Sequence, residues 1–184
     1  MAQQNIKQII KQEYLKCAKD PVYFMKKYCM IQHPTRGRIK FNLYPFQEGV
    51  LKLLNTHERN IILKSRQLGI STLSAGMALW QMIFQKDTNV LVIATKQDTA
   101  KNLVTKVKFM YENLPSWLML GFEENNKLAL RLKNGSQVKA VSATSDAGRS
   151  EAISLLIIDE AAFIEQNRIE EIWGASQQTL STGG

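Results

Sequence analysis

At 184 residues, 45% of them hydrophobic and 22% charged, the chain has the composition of a soluble globular domain with a sizeable core. No apolar run nears the roughly 20 residues needed to span a bilayer. The polar start, Met1-Ala2-Gln3-Gln4-Asn5, lacks the apolar stretch of a secretory leader, which points to a cytoplasmic setting with no membrane partner. Cys17 and Cys29 stand alone, with no Cys/His cluster at metal-ligand spacing, and argue against a disulfide framework or a zinc site.

The net charge of +8 is unevenly placed: residues 1–60 hold 11 Lys/Arg against 4 Asp/Glu. Such a basic segment suits a nucleic-acid backbone or simply keeps the protein in solution, and charge alone does not decide between them.

Taken in chain order, Ile6, Ile9, Ile10, Tyr14 and Leu15 have helical spacing over 6–18, and Asp20-Pro21 restarts the chain into a short second helix to Met30. A polar link, Gln32-His33-Pro34-Thr35-Arg36-Gly37-Arg38, follows. Pro45 then suits the first turn of a helix running to about Leu54. Ile61-Ile62-Leu63 reads as a buried strand over 60–64, feeding a loop and a helix from Ser71 to Phe84. Val90-Leu91-Val92-Ile93-Ala94 predicts a second strand, with a helix from about Asp98 to Asn113. Continuous rather than alternating apolarity predicts strands covered on both faces, as in parallel α/β sheets. Leu128, Leu130 and Leu132 alternate, and Asn134-Gly135 turns the chain towards Val138 and Val141 as a hairpin. Leu155 to Ile158 is a third buried strand, and 167–178 reads as a helix before a turn at Thr179-Gly184.

Two of these segments carry chemistry. A phosphate-binding loop has the pattern G-x-x-x-x-G-K-[ST], in which backbone N–H groups and a lysine hold phosphates and the hydroxyl holds Mg²⁺. In Lys64-Ser65-Arg66-Gln67-Leu68-Gly69-Ile70-Ser71-Thr72, Gly69 and Ser71 fit. Ile70 occupies the lysine position, and Lys64 stands where the first glycine would be. The physics needs only a cation able to reach the β- and γ-phosphates, which Lys64 or Arg66 can supply. The competing reading is a plain strand–turn–helix junction with both cations solvated. The strand Leu155–Ile158 ends in Asp159-Glu160, two carboxylates at the carboxyl edge of a sheet, where open α/β folds bind ligands. There Asp159 with Ser71 suits Mg²⁺, and Glu160 suits polarising a water against ATP, unless the pair merely caps the next helix. Arg149, after Gly148, is a candidate to stabilise transition-state charge, or a surface partner of Glu151. Gln47, after Tyr44-Pro45-Phe46, is a candidate adenine reader; its bland alternative is a capped helix start with Phe46 in the core.

These residues together resemble the ATPase domain of the large terminase subunit of tailed bacteriophages. The resemblance rests on Asp20-Pro21-Val22-Tyr23-Phe24, the link from Gln32 to Arg38, Leu43-Tyr44-Pro45-Phe46-Gln47, Lys64-Ser65-Arg66-Gln67-Leu68-Gly69 and Asp159-Glu160-Ala161-Ala162-Phe163. It implies a three-layer αβα P-loop NTPase of RecA/ASCE type with a mainly parallel central sheet. Residues 1–42 would be a basic helical segment and 43–184 an ATPase domain truncated at its C-terminal end, without the family's nuclease domain. It implies ATP and Mg²⁺ as cofactors, Lys64 as a displaced phosphate-loop lysine, and Asp159 and Glu160 as metal-binding and catalytic carboxylates. Arg149 would be a finger acting across subunits, and Gln47 the adenine-reading glutamine. The implied function is translocation of double-stranded DNA into a procapsid by a homo-oligomeric ring in the host cytoplasm, with a portal protein and a small terminase subunit as partners. Two other readings stand beside it. A superfamily 2-like helicase would show D-E-x-D/H, from which Asp159-Glu160-Ala161-Ala162 departs. A non-catalytic nucleotide-binding module would tolerate Ile70 at the lysine position.

Overall fold

The computed structural model describes residues 2–144 and 152–182. The basic N-terminal segment opens with helices α1 (Ala2–Lys19) and α2 (Pro21–Tyr28). Asp20 separates them as an N-cap: its Oδ1 accepts from the backbone N–H groups of Val22 at 2.8 Å and Tyr23 at 3.1 Å, with Pro21 in the first turn. Asp20→Ala is expected to lower stability by about 1 kcal/mol, the usual worth of such a cap, read from chemical denaturation.

The two helices are joined through one carboxylate. Glu13 Oε1 accepts from Lys27 Nζ at 2.6 Å, Tyr23 OH at 2.6 Å and Tyr28 OH at 2.7 Å. These donors stabilise the ionised form and pull the Glu13 pKa from its ordinary 4.5 down to about 2, with the Lys27 hydrogen bond the largest cause. A depressed carboxylate pKa stabilises the fold above 4.5, and that contribution is lost as the pH falls towards 2. Wild-type stability should therefore fall more steeply than that of Glu13→Gln between pH 5 and 2, followed by urea midpoints; parallel curves would refute the assignment.

The link from Gln32 to Arg38 is not irregular. It is the turn region of an antiparallel ribbon, β1 (Met30–His33) with β2 (Gly37–Lys40), where Gly37 adopts φ +65°. The repetitive pattern is too short to stand out beside its Pro and Gly. Helix α3 (Pro45–Thr56) then begins at the expected proline.

The expected strand at 60–64 does not form. Ile61 and Leu63 are fully exposed, and only Ile62 packs against the core. Apolar character shows that a segment can be buried; it does not supply the surfaces that bury it. Helix α4 (Ile70–Phe84) follows, and its largely apolar length lies inside the main core: Leu73, Ala75, Ala78, Leu79 and Met82 have no exposure. The Trp80 indole N–H donates to the Cys17 carbonyl at 2.8 Å, tying α1 to α4.

The central sheet has five strands in the order β4 (Phe122–Asn125), β5 (Ala129–Leu132), β6 (Gln137–Ser142), β3 (Asn89–Ala94) and β7 (Leu155–Ile158). It is mixed: β3 pairs parallel with β6 and β7, whereas β4–β5 and β5–β6 are antiparallel. The Asn134-Gly135 hairpin forms as expected, with Gly135 at φ +84°. Strand β4 was not foreseen because all four of its residues are exposed and show no alternation.

Alternate residues of β3 serve opposite faces, which explains its unbroken apolarity. Val90, Val92 and Ala94 join the cluster with α4 and α5 (Gln97–Glu112). Leu91 and Ile93 join a smaller cluster with Ile169 and Ile172 of α6 (Gln166–Thr182). Leu155 and Ile157 of β7 divide from Leu156 and Ile158 in the same way. Helix α6 continues through the positions expected to turn at Thr179, up to Thr182.

Candidate nucleotide site

The loop leading into α4 is bent by two left-handed residues, Gln67 at φ 63° and Gly69 at φ 71°, and Gly69 serves as N-cap. Helix geometry leaves the first backbone N–H groups of α4 without intrahelical partners, and the helix dipole makes that end attractive to anions. Lys64, Ser65, Arg66, Gln67 and Leu68 are all exposed; Ser71 and Thr72 are half-buried. No ion pair among the described residues engages Lys64 or Arg66. Ile70 is different: its side chain is buried in the main core, so this position offers a ligand only its backbone.

The second half of the site comes from the tip of β7. The Asp159 N–H donates to the Ile93 carbonyl at 2.9 Å, so the ladder holds the backbone up to the first carboxylate. Asp159 Oδ1 accepts from Ser71 Oγ at 3.2 Å and from the Glu160 N–H at 3.1 Å. Glu160 itself is exposed and left-handed, at φ 55° and ψ 37°, a conformation that costs a non-glycine residue about 1–3 kcal/mol. The turn directs it off the strand line, into the short helical turn at Ala161–Phe163.

Helix α3 supplies a third contact. Gln47 is buried; its Oε1 accepts from the Tyr44 N–H at 3.0 Å and its Nε2 donates to the Leu68 carbonyl at 2.9 Å. Phe46 is not in the core: its ring stacks on Tyr44 at 5.8 Å and 6°, and both rings are exposed. Sequence reasoning missed Tyr44 as a surface group and Leu68 as an acceptor. A backbone carbonyl leaves no trace in side-chain pattern. Arg149 lies outside the described residues.

Two oxygen donors, Ser71 Oγ and the Asp159 carboxylate, fit a hard cation such as Mg²⁺, which takes one or two carboxylates and completes its shell with water and phosphates. Among the described residues no three His, Cys, Asp or Glu side chains converge on a metal position. Two open surface depressions, about 470 and 360 Å³, lie around the β4–β5 turn at Asn126 and Lys127, and no residue of the loop or of the carboxylate pair lines them. A phosphate site formed by a loop and a helix end is an open surface, so their position does not compete with it.

Residues 61–182 match the family model described as terminase large subunit, T4likevirus-type, N-terminal. The chain belongs to this terminase family. Solved structures agree in fold. The HK97 bacteriophage large terminase superposes with a TM-score of 0.68 at 20% identity, over 88% of this chain and 35% of that one. The large terminase ATPase domain of Thermus phage P74-26 gives 0.61 at 21% identity, over 77% and 61% respectively. An arginine-to-alanine mutant of that domain gives 0.57 at 21%, over 78% and 62%. The terminase chain described here thus spans about a third of the HK97 protein and under two thirds of the P74-26 domain. No helix among its described residues is long and apolar enough to cross a membrane.

Proposed function

We propose that this terminase chain hydrolyses ATP and, as part of a homo-oligomeric ring in the host cytoplasm, drives double-stranded DNA into a procapsid beside portal and small-subunit partners. The observation that carries the reading is the 3.2 Å bond from Ser71 Oγ to Asp159 Oδ1, which joins a helix start to a strand tip 88 residues away. A phosphate-cradling loop and a carboxylate strand tip meeting at one point is the arrangement nucleotide hydrolysis requires. It supports a three-layer, RecA-like P-loop fold.

In this reading the backbone of 65–70 and the α4 N-terminus cradle the phosphates, and Lys64, with Arg66 second, supplies positive charge from the exposed side of the loop. Ser71 and Asp159 hold Mg²⁺, which when bound neutralises charge on the phosphate oxygens. Glu160 accepts a proton from the attacking water. The exposed, mutually stacked rings of Tyr44 and Phe46 offer flat faces for the base.

The test is Mg²⁺-dependent ATP turnover by the full-length protein, with and without duplex DNA, alongside an unwinding assay on a forked duplex. Turnover stimulated by duplex without strand separation supports the motor. Strand separation would favour a helicase, and ATP binding without turnover a non-catalytic module.

A further inference from the structure

We propose that the β1–β2 ribbon is a contact surface for the phosphate backbone of duplex DNA, with Arg36, Arg38 and Lys40 as its cations. The choice of partner rests on the packaging reading above; the location rests on how the structure sorts the basic excess of residues 1–60. Between Pro21 and Gln47 the chain has no Asp or Glu. Lys26 and Lys27 in that stretch are nonetheless paired, with Glu48 at 2.8 Å and Glu13 at 2.6 Å. Asp20 is occupied as the α2 cap. Arg36, Arg38 and Lys40 are exposed, and no ion pair among the described residues engages them. The lysines of α1 do not form a comparable surface. At about 100° per residue, Lys7 and Lys11 share one side of the helix and Lys16 falls on the opposite one.

The ribbon holds those charges in place. Gln32 pairs with Arg38 and Met30 with Lys40, so these four side chains share one face, while Ile31 on the other face packs against the core. Beyond the last pair the Phe41 N–H donates to the Cys29 carbonyl at 3.0 Å, and both side chains are buried, which anchors the root. The tip is fixed by His33, whose Nδ1 accepts from the backbone N–H groups of Thr35 and Arg36, each at 3.2 Å. Arg38 Nη1 donates to Asn113 Oδ1 at 2.8 Å, which positions the guanidinium and leaves its other N–H groups for phosphate oxygens. Glu112, the neighbour of Asn113, acts on Lys108 and favours its charged form. A two-stranded ribbon fits the major groove of B-DNA. Contacts to phosphates carry no sequence preference, as a motor moving along any duplex requires.

The test is duplex binding by the full-length protein across a salt series. Arg36→Gln, Arg38→Gln and Lys40→Gln combined should lower the slope of log affinity against log salt by about 2.7, ~0.9 for each lost contact. Binding at about 0.1 M salt should weaken roughly several hundredfold, equally for duplexes of unrelated sequence. Lys7→Gln with Lys11→Gln, which removes charge from α1 instead, should leave the slope nearly unchanged. A triple variant with wild-type slope and affinity overturns the proposal. So does an α1 variant that loses as much per charge, which would make the attraction diffuse. Duplex binding at the wild-type level with binding to polyglutamate lost overturns it in favour of an acidic protein. Should the triple variant fail to fold, the wild type serves: duplex DNA should shield Lys40 from acetylation more than it shields Lys7 or Lys11, read by mass spectrometry. Equal shielding refutes the idea. Wild-type protein that hydrolyses ATP but binds no duplex overturns the ribbon and leaves the ATPase standing. Ribbon-dependent duplex binding without any turnover supports the ribbon and defeats the motor.

Discussion

Glu160→Gln is expected to reduce ATP turnover by about 100- to 10,000-fold, the range attributed to a positioned general base, while leaving nucleotide binding within a few-fold of wild type. The amide is nearly isosteric with the carboxylate, so packing does not confound the result, but it cannot accept the proton of an attacking water. Binding should survive because the loop, Ser71 and Asp159 are untouched: Glu160 bonds Asp159 through its backbone N–H, which glutamine keeps. Steady-state turnover of the full-length protein and equilibrium binding of ATP measure the two halves separately. Unchanged turnover would remove Glu160 from the chemistry. Loss of binding together with turnover would mean that Glu160 organises the Asp159 turn.

Arg149→Ala should cost about 1,000-fold in kcat if the residue neutralises charge developing on the transferred phosphoryl group. Arg149 follows Gly148 in the sequence between β6 and β7, and the finger assignment comes from the family resemblance. Acting from a neighbouring subunit, it would leave a distinctive signature. An Arg149→Ala subunit keeps an intact Glu160, and a Glu160→Gln subunit keeps an intact arginine. Neither is active alone, yet a mixed ring contains interfaces where an intact arginine faces an intact glutamate. Turnover recovered on mixing in proportion to such interfaces would establish action in trans. A mixture as inactive as its components would place Arg149 with its own subunit's nucleotide or outside the reaction. Because both variants retain the loop, each should still bind ATP, which controls for misfolding.

Much of the local geometry around the candidate site could be read from residues alone, and the reason is local. The left-handed turn before α4 requires glycine or a tolerant residue at 69, and Gly69-Ile70-Ser71 declares it. Four apolar residues before Asp159-Glu160 read as a strand with carboxylates after its end, and Leu155–Ile158 forms that strand. Asp20-Pro21, Pro45 and Asn134-Gly135 marked two helix starts and a hairpin because capping and turn chemistry involve neighbours within a few positions. The failures share the opposite cause. Ile61-Ile62-Leu63 has strand character, yet nothing covers Ile61 or Leu63. The exposed strand β4 has no periodicity but is recruited by the edge of β5.

Taken by itself, the sequence determined the α/β class, most of the helices and the strands β3, β5, β6 and β7, and which residues were available for phosphate and metal chemistry. All of these follow from short-range propensity and from the chemistry of single side chains. Only the tertiary structure decided that Ser71 and Asp159 meet across 88 residues. It also decided that Ile70 is consumed by the core and that Gln47 bonds the Leu68 carbonyl while Tyr44 and Phe46 face solvent. Those facts depend on where one element comes to rest against another, and distance in space is not encoded by distance along the chain.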